Sequence, residues 1–157
     1  MARALSILVG TMTGTADLVA QEVEASLGQR GIAASVIQMD RLDEQVFAQG
    51  GLFLICTSTY GQGDVPDNAR DFVERLEAIR PDLSAVHFGL VALGDRTYAT
   101  TYCHGGLKFD TLLSELGARR VGEMFLHDAS EGTMAEDEAV AWVDGWVEDA
   151  MAASDAT

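Results

Sequence analysis

An apolar run ends in GTMTGTAD, residues 10–17, where Gly10, Thr11, Thr13, Gly14 and Thr15 stand close together. Glycines let a backbone turn tightly, threonines add hydroxyl donors, and the N–H groups opening a following helix point at an anion. Such a loop suits the holding of a phosphate. No lysine or arginine lies in it, which excludes a P-loop, and the spacing of Gly10 and Gly14 does not supply the G-x-G-x-x-G of a dinucleotide fold. The expected group is one terminal phosphate monoester held by neutral donors, rather than a triphosphate or pyrophosphate. A threonine-rich helix cap without any ligand would use the same residues, and this loop alone leaves both readings open.

Two further loops carry residues of the right type for a flat ligand. STYGQGDVPDN, residues 58–68, sets Tyr60 between an apolar run and Gly61 and Gly63; GDRTYATTYC, residues 94–103, supplies Tyr98 and Tyr102. An exposed aromatic is a stacking surface for a planar ring, and bare glycine peptides allow close approach to it. Two of the three tyrosines would sandwich a partly polar heterocycle; the alternative is that each covers a sheet edge. Other candidates are weaker. His87, His104 and His127 have no zinc spacing, Cys56 and Cys103 form no C-x-x-C pair, and no G-x-S-x-G elbow supports a hydrolase. Cys56, inside an apolar run, reads as a buried structural thiol, and Trp142 and Trp146, one helical turn apart, as packing residues.

The elements that must position these loops follow from hydropathy. Residues 4–10 (ALSILVG), 33–39, 52–58 (LFLICTS), 86–94 (VHFGLVALG) and 119–127 read as strands, the last weakened by Gly122. Helices are expected over 16–30, with Leu18, Val19, Val23 and Leu27 near helical spacing, and over 69–79, with Phe72, Val73, Leu76 and Ile79 inward. Two more follow over 108–116, with Phe109, Leu112, Leu113 and Leu116 inward, and over 134–152. DRLDEQVFAQG, residues 40–50, is a polar connector with room for a short helical turn. Alternating strands and helices predict a parallel sheet covered on both faces, whose ligand binds at the carboxyl ends of the strands where the order reverses. The three unusual loops all fall at such ends.

Bulk properties narrow the partners. The 157 residues, 48% hydrophobic and 22% charged, fit one soluble domain spanning 1–157. The N-terminal run leads straight into the threonine loop and reads as a strand rather than a signal peptide, and no apolar stretch approaches the roughly 18 residues of a membrane span. With little use of cysteine, a cytoplasmic location is the expectation. Ten Lys and Arg against 25 Asp and Glu give a formal charge of −15, which repels nucleic acid and anionic lipid and favours basic partner surfaces.

Taken together, GTMTGTAD, STYGQGDVPDNARDF and ALGDRTY…YC resemble the flavodoxin family, in order and across nearly the whole chain. They are especially similar to short-chain flavodoxins and to the FMN domains of diflavin reductases. The resemblance implies a three-layer α/β fold, a doubly wound sheet of five parallel strands in order 2-1-3-4-5 with helices on both faces, binding one FMN non-covalently. Carried over by residue, Thr11, Met12, Thr13, Gly14, Thr15 and Ala16 wrap the ribityl phosphate. Ser58, Thr59, Tyr60, Gly61 and Gly63 lie along the isoalloxazine, with Tyr60 on one face. Leu93, Gly94 and Asp95 reach the pyrimidine side, Tyr98 stacks on the other face, and Tyr102 and Cys103 follow nearby. Two positions depart from the family's pattern: Ala16 stands where a third hydroxyl is common, and one extra residue separates Tyr98 from Cys103. The fifth strand carries no long insertion, as in the short-chain class.

The implied role is electron carriage without substrate turnover. Electrons would pass from an NAD(P)H-dependent flavodoxin reductase to acceptor redox proteins, with Asp64, Asp67, Asp95, Asp128 and Glu131 forming an acidic docking rim. One rival is an FMN-dependent NAD(P)H:quinone reductase, which needs room for a nicotinamide that Tyr60 and Tyr98 would obstruct. A receiver domain of similar topology is the other; it wants an acidic pair and a phosphoacceptor Asp where this chain has Gly10-Thr11 and Thr57-Ser58. For a one-electron step, about 1.4 kcal/mol of differential stabilisation moves a potential by about 59 mV. On that scale, a few kcal/mol of repulsion from the phosphate and the −15 protein would make the second electron strongly reducing. Separately, a Gly61 carbonyl would turn toward the protonated flavin N5, a turn that glycine permits at little steric cost. Gly61→Val is expected to lower the yield of the one-electron-reduced form in a stepwise redox titration; an unchanged yield removes this role from Gly61.

Overall fold

The runs of branched and apolar residues form strands because both of their faces are covered. The computed structural model describes residues 3–10, 15–48, 50–58, 67–94, 104–128 and 134–155. Along the chain come β1 (Arg3–Gly10), α1 (Thr15–Gln29), β2 (Ile32–Gln38), β3 (Gly51–Ser58), α2 (Asp67–Ile79) and β4 (Val86–Gly94). They are followed by α3 (His104–Glu115), β5 (Arg119–Arg120), β6 (Phe125–Asp128) and α4 (Ala135–Asp155). All described strand pairs are parallel, in the order β2-β1-β3-β4-β5, and β6 continues the outermost position beside β4.

Alternation along the strands divides the core in two. Leu5, Ile7 and Val9 of β1, Leu52, Leu54 and Cys56 of β3, and Val91 and Leu93 of β4 meet α1 and α4. Leu8, Phe53, Ile55, Phe88 and Leu90 point the other way, onto α2 and α3. The expected three layers are therefore present, with α1 and α4 on one face and α2 and α3 on the other.

Several side chains fall elsewhere than their spacing suggests. Leu18 and Ile79 are exposed, at 45% and 47%, not inward. The buried stripe of α1 runs instead through Ala16, Val19, Ala20, Val23 and Leu27, where small Ala16 and Ala20 let the helix sit close to the sheet. The connector between β2 and β3 holds two 3-10 turns, Met39–Arg41 and Glu44–Phe47. Both bring an apolar residue inward: Met39 is buried, and Phe47 meets Phe53 edge to face at 4.9 Å. Arg75 of α2 grips the Glu44 carboxylate with its guanidinium and holds that carboxyl below its ordinary range. Helix α3 begins at His104, ahead of the expected start at 108, because its glycine is there for packing: a Cβ on Gly106 would lie 2.4 Å from Ala92 Cβ.

The fifth strand, expected over 119–127 without a break, is split. Arg120 pairs with Phe88 and Phe125 with Val91, so the outer strand takes five steps where β4 takes three. Gly122, at φ +70°, makes the detour possible. Val121 N–H donates to Phe88 O at 2.8 Å, and the Val121 carbonyl accepts from Trp146 Nε1 at 2.9 Å. Trp146 reaches that carbonyl by lying across Gly89, where an added Cβ would fall 2.3 Å from its ring. Trp142 stacks on Trp146 with centroids 5.4 Å apart. The indole thus fills a notch and satisfies a carbonyl that the bulge leaves without a ladder partner. Gly89→Val should destabilise by about 1–3 kcal/mol, the usual cost of overpacking, seen as a lower urea midpoint at unchanged slope. Recovery of part of the loss on adding Trp146→Leu would locate the clash at this contact; a wild-type midpoint for Gly89→Val would refute it.

Candidate functional site

The site is built at one level of the sheet. Gly10, the last residue of β1, pairs with Thr57; Thr57 pairs with Ala92, and Ser58 with Leu93. The chain therefore leaves β1, β3 and β4, three adjacent strands, in steps of one residue each, from Gly10 through Ser58 to Gly94. From there α1 departs over one face and α2 over the other, and such divergence opens a crevice at the strand ends.

The backbone at this level is held tightly. A Cβ on Gly10 would sit 2.8 Å from Thr57 Oγ1, 3.1 Å from Met39 Sδ and 3.2 Å from Ala69 Cβ. Only glycine lets β1 end in contact with both β3 and α2. On the opposite face Cys56 Sγ donates to the Ala16 carbonyl at 3.4 Å, inside the first turn of α1. Asp17 in that turn accepts from Gln38 Nε2 at 2.6 Å and from Gln21 Nε2 at 2.8 Å. Burial pushes the Cys56 thiol up to about 12, and the neighbouring Asp17 carboxylate adds to the rise. The tie between Asp17 and Gln38 had no sequence signal, since nothing in the spacing of residues 21 positions apart marks them as partners.

Of the residues singled out from sequence, Thr15 opens α1 and Ala16 is fully buried. Ser58 closes β3, Leu93 is buried at 5% exposure, and Gly94 closes β4. Thr11, Met12, Thr13, Gly14, Thr59, Tyr60, Gly61, Gly63, Asp95, Tyr98, Tyr102 and Cys103 lie outside the described residues. Of the acidic rim, Asp67 opens α2 and Asp128 closes β6, while Asp64, Asp95 and Glu131 lie outside. His87 and His127 are buried on β4 and β6, His127 Nε2 standing 3.7 Å from the Glu138 carboxylate, and His104 opens α3. No three His, Cys, Asp or Glu side chains gather into a metal-binding group among the described residues.

These features fit a phosphorylated ligand gripped at the start of α1: β1 ends at a sterically required glycine, and α1 begins after a short hydroxyl-rich segment. The model of the flavodoxin family matches residues 7–142 of the chain. The chain belongs to the flavodoxin family. That family is one of FMN-binding electron carriers. Flavodoxin YqcA of Escherichia coli (strain K12) is 42% identical over 145 residues, covering 90% of this chain and 95% of that protein. A solved cysteine variant of a flavodoxin from Pseudomonas aeruginosa superimposes with a TM-score of 0.83 at 31% identity, covering 94% of this chain and 98% of that one. The human NADPH–cytochrome P450 reductase is 34% identical over 140 residues, covering 86% of this flavodoxin chain but 20% of the reductase.

Cys56 gives a test of how firmly this level of the sheet is closed. A thiol raised from 9.0 to about 12 on folding stabilises the native state below pH 9, and that contribution is lost as pH rises through about 12. The urea midpoint of wild type should accordingly fall more steeply between pH 9 and 12 than that of Cys56→Ala. Parallel pH profiles for the two proteins would show the thiol to be solvated in the folded state.

Proposed function

We propose that this flavodoxin holds one FMN at the carboxyl ends of β1, β3 and β4 and carries electrons singly from an NAD(P)H-dependent reductase to acceptor redox proteins. The observation that carries the reading is that Gly10 ends β1 level with Thr57 and Ala92, one residue below Ser58 and Leu93 on the two neighbouring strands, with the helices diverging beyond them. Bound FMN supplies the redox chemistry; the protein's part is to grip, orient and shield it. In this reading Thr11 to Ala16 hold the phosphate, and Ser58, Thr59, Gly61 and Gly63 line the ring. Tyr60 and Tyr98 cover its two faces, Leu93 to Asp95 meet the pyrimidine edge, and Tyr102 and Cys103 complete that side. The whole span 1–157 acts as a single domain.

Charge supports a docking role. At −15 the molecule attracts basic partner surfaces over several ångströms of solvent, which raises encounter rates more than it tightens complexes. Asp64, Asp67, Asp95, Asp128 and Glu131 are assigned to the rim such partners would meet.

Titration of the apoprotein with FMN is expected to give a yellow one-to-one complex, and its reduction by an NADPH-dependent flavodoxin reductase should slow as salt is raised. A chain that takes up no FMN overturns the cofactor assignment. A reduction rate indifferent to ionic strength overturns the acidic rim, and rapid bleaching by NADPH and quinone without a reductase would favour an enzyme instead.

A further inference from the structure

Apolar burial has no preferred direction, so the packing of Val19, Val23 and Leu27 holds α1 on the sheet without fixing the aim of its first turn. Hydrogen bonds do fix direction, and the first turn receives them from the strands on both sides of β1. Gln38, the last residue of β2, donates to Asp17 Oδ1 at 2.6 Å; Cys56, on β3, donates to the Ala16 carbonyl at 3.4 Å. Gln21, one turn along, donates to the other Asp17 oxygen at 2.8 Å. We propose that Asp17, acting through Gln38, and Cys56 are positioning residues that aim the opening backbone N–H groups of α1 at the cofactor phosphate. This rests on the FMN assignment above.

Two physical points favour the assignment. The strength of an N–H···O bond falls steeply with misalignment, so a small roll of α1 would weaken every donor of its first turn together. Asp17 would otherwise set a carboxylate beside a dianion; with an amide N–H on each oxygen, part of that negative potential is drawn away from the phosphate. Ala16 has no side-chain donor for the anion. What position 16 contributes is its carbonyl, as the handle that Cys56 holds.

The test compares FMN with riboflavin, which carries the same ring and no phosphate, by fluorescence titration of the apoprotein. Gln38→Leu should weaken FMN binding roughly three- to tenfold, the range for one lost hydrogen bond, and leave riboflavin binding unchanged. In an Asp17→Ala background the same change should cost less than it does in wild type, because the bond between the two side chains is gone. Cys56→Ser, which keeps a donor, should retain the wild-type ratio of the two affinities, and Cys56→Val should lower it. If Gln38→Leu fails to fold, Gln38→Glu, which sets a second carboxylate against Asp17, takes its place with the same expected loss. An unchanged ratio, or equal losses with both ligands, overturns the positioning role. Wild-type protein that binds neither compound overturns the FMN assignment itself.

Discussion

Parallel strands joined through a helix close with one hand, and that rule shapes everything at the top of this sheet. β1 sends its chain outward to β2, and β3 sends its chain the other way to β4. With the hand fixed and the directions opposed, α1 and α2 must lie on opposite faces. Neither α1 nor α2 joins β1 to β3, so topology itself favours a crevice between their carboxyl ends and needs no special residue to open it. Residues matter at the next step, in filling the crevice with the right chemistry.

Glycine serves that step chiefly by taking up no room. Gly10 brings the end of β1 against Thr57, Met39 and Ala69; Gly106 brings α3 down onto Ala92; Gly89 admits the Trp146 ring. In each case the layers approach more closely than any side chain would permit, and dispersion contacts along the whole interface gain from it. The strand ends at the site are thereby held by packing on both faces: Gly10 and Thr57 toward α2, Cys56 and Ala16 toward α1. A rigid floor of this kind suits a cofactor that must be held in a fixed position.

Strand identity was legible because β1, β3 and β4 are buried on both faces and so carry uninterrupted apolar runs, whereas their order came only from the family resemblance. The loops stood out as candidates for chemistry because their composition is at odds with packing, although Thr11, Thr13 and Tyr60 lie outside the described residues. The misreadings have physical causes. Leu18 and Ile79 lie just off the true stripes of their helices, and a large side chain at that angle outweighed the small Ala16 and Ala20 that in fact face the sheet. HGG at 104–106 looks like a turn, yet Gly106 is a contact residue inside α3. Phe47 sits in a polar connector, and only the Phe53 and Phe72 rings it meets explain it. The Gln38–Asp17 tie was invisible, since hydrogen bonds between surface-type residues leave no periodicity.

The break in the outermost strand bears on behaviour far from the site. A continuous parallel sheet leaves rows of unpaired N–H and C=O groups along its rims, ready to template a neighbouring molecule. Here one rim is cut between Arg120 and Phe125, carries Arg119 and an Arg120 paired with Asp110, and turns the Val121 carbonyl inward to Trp146. Such a margin offers no register along which a second molecule could add a strand, so this rim resists edge-to-edge pairing through its own geometry, even where acid or salt weakens the mutual repulsion of these highly anionic molecules. The opposite rim, the unbroken β2, is the one left to charge for its protection.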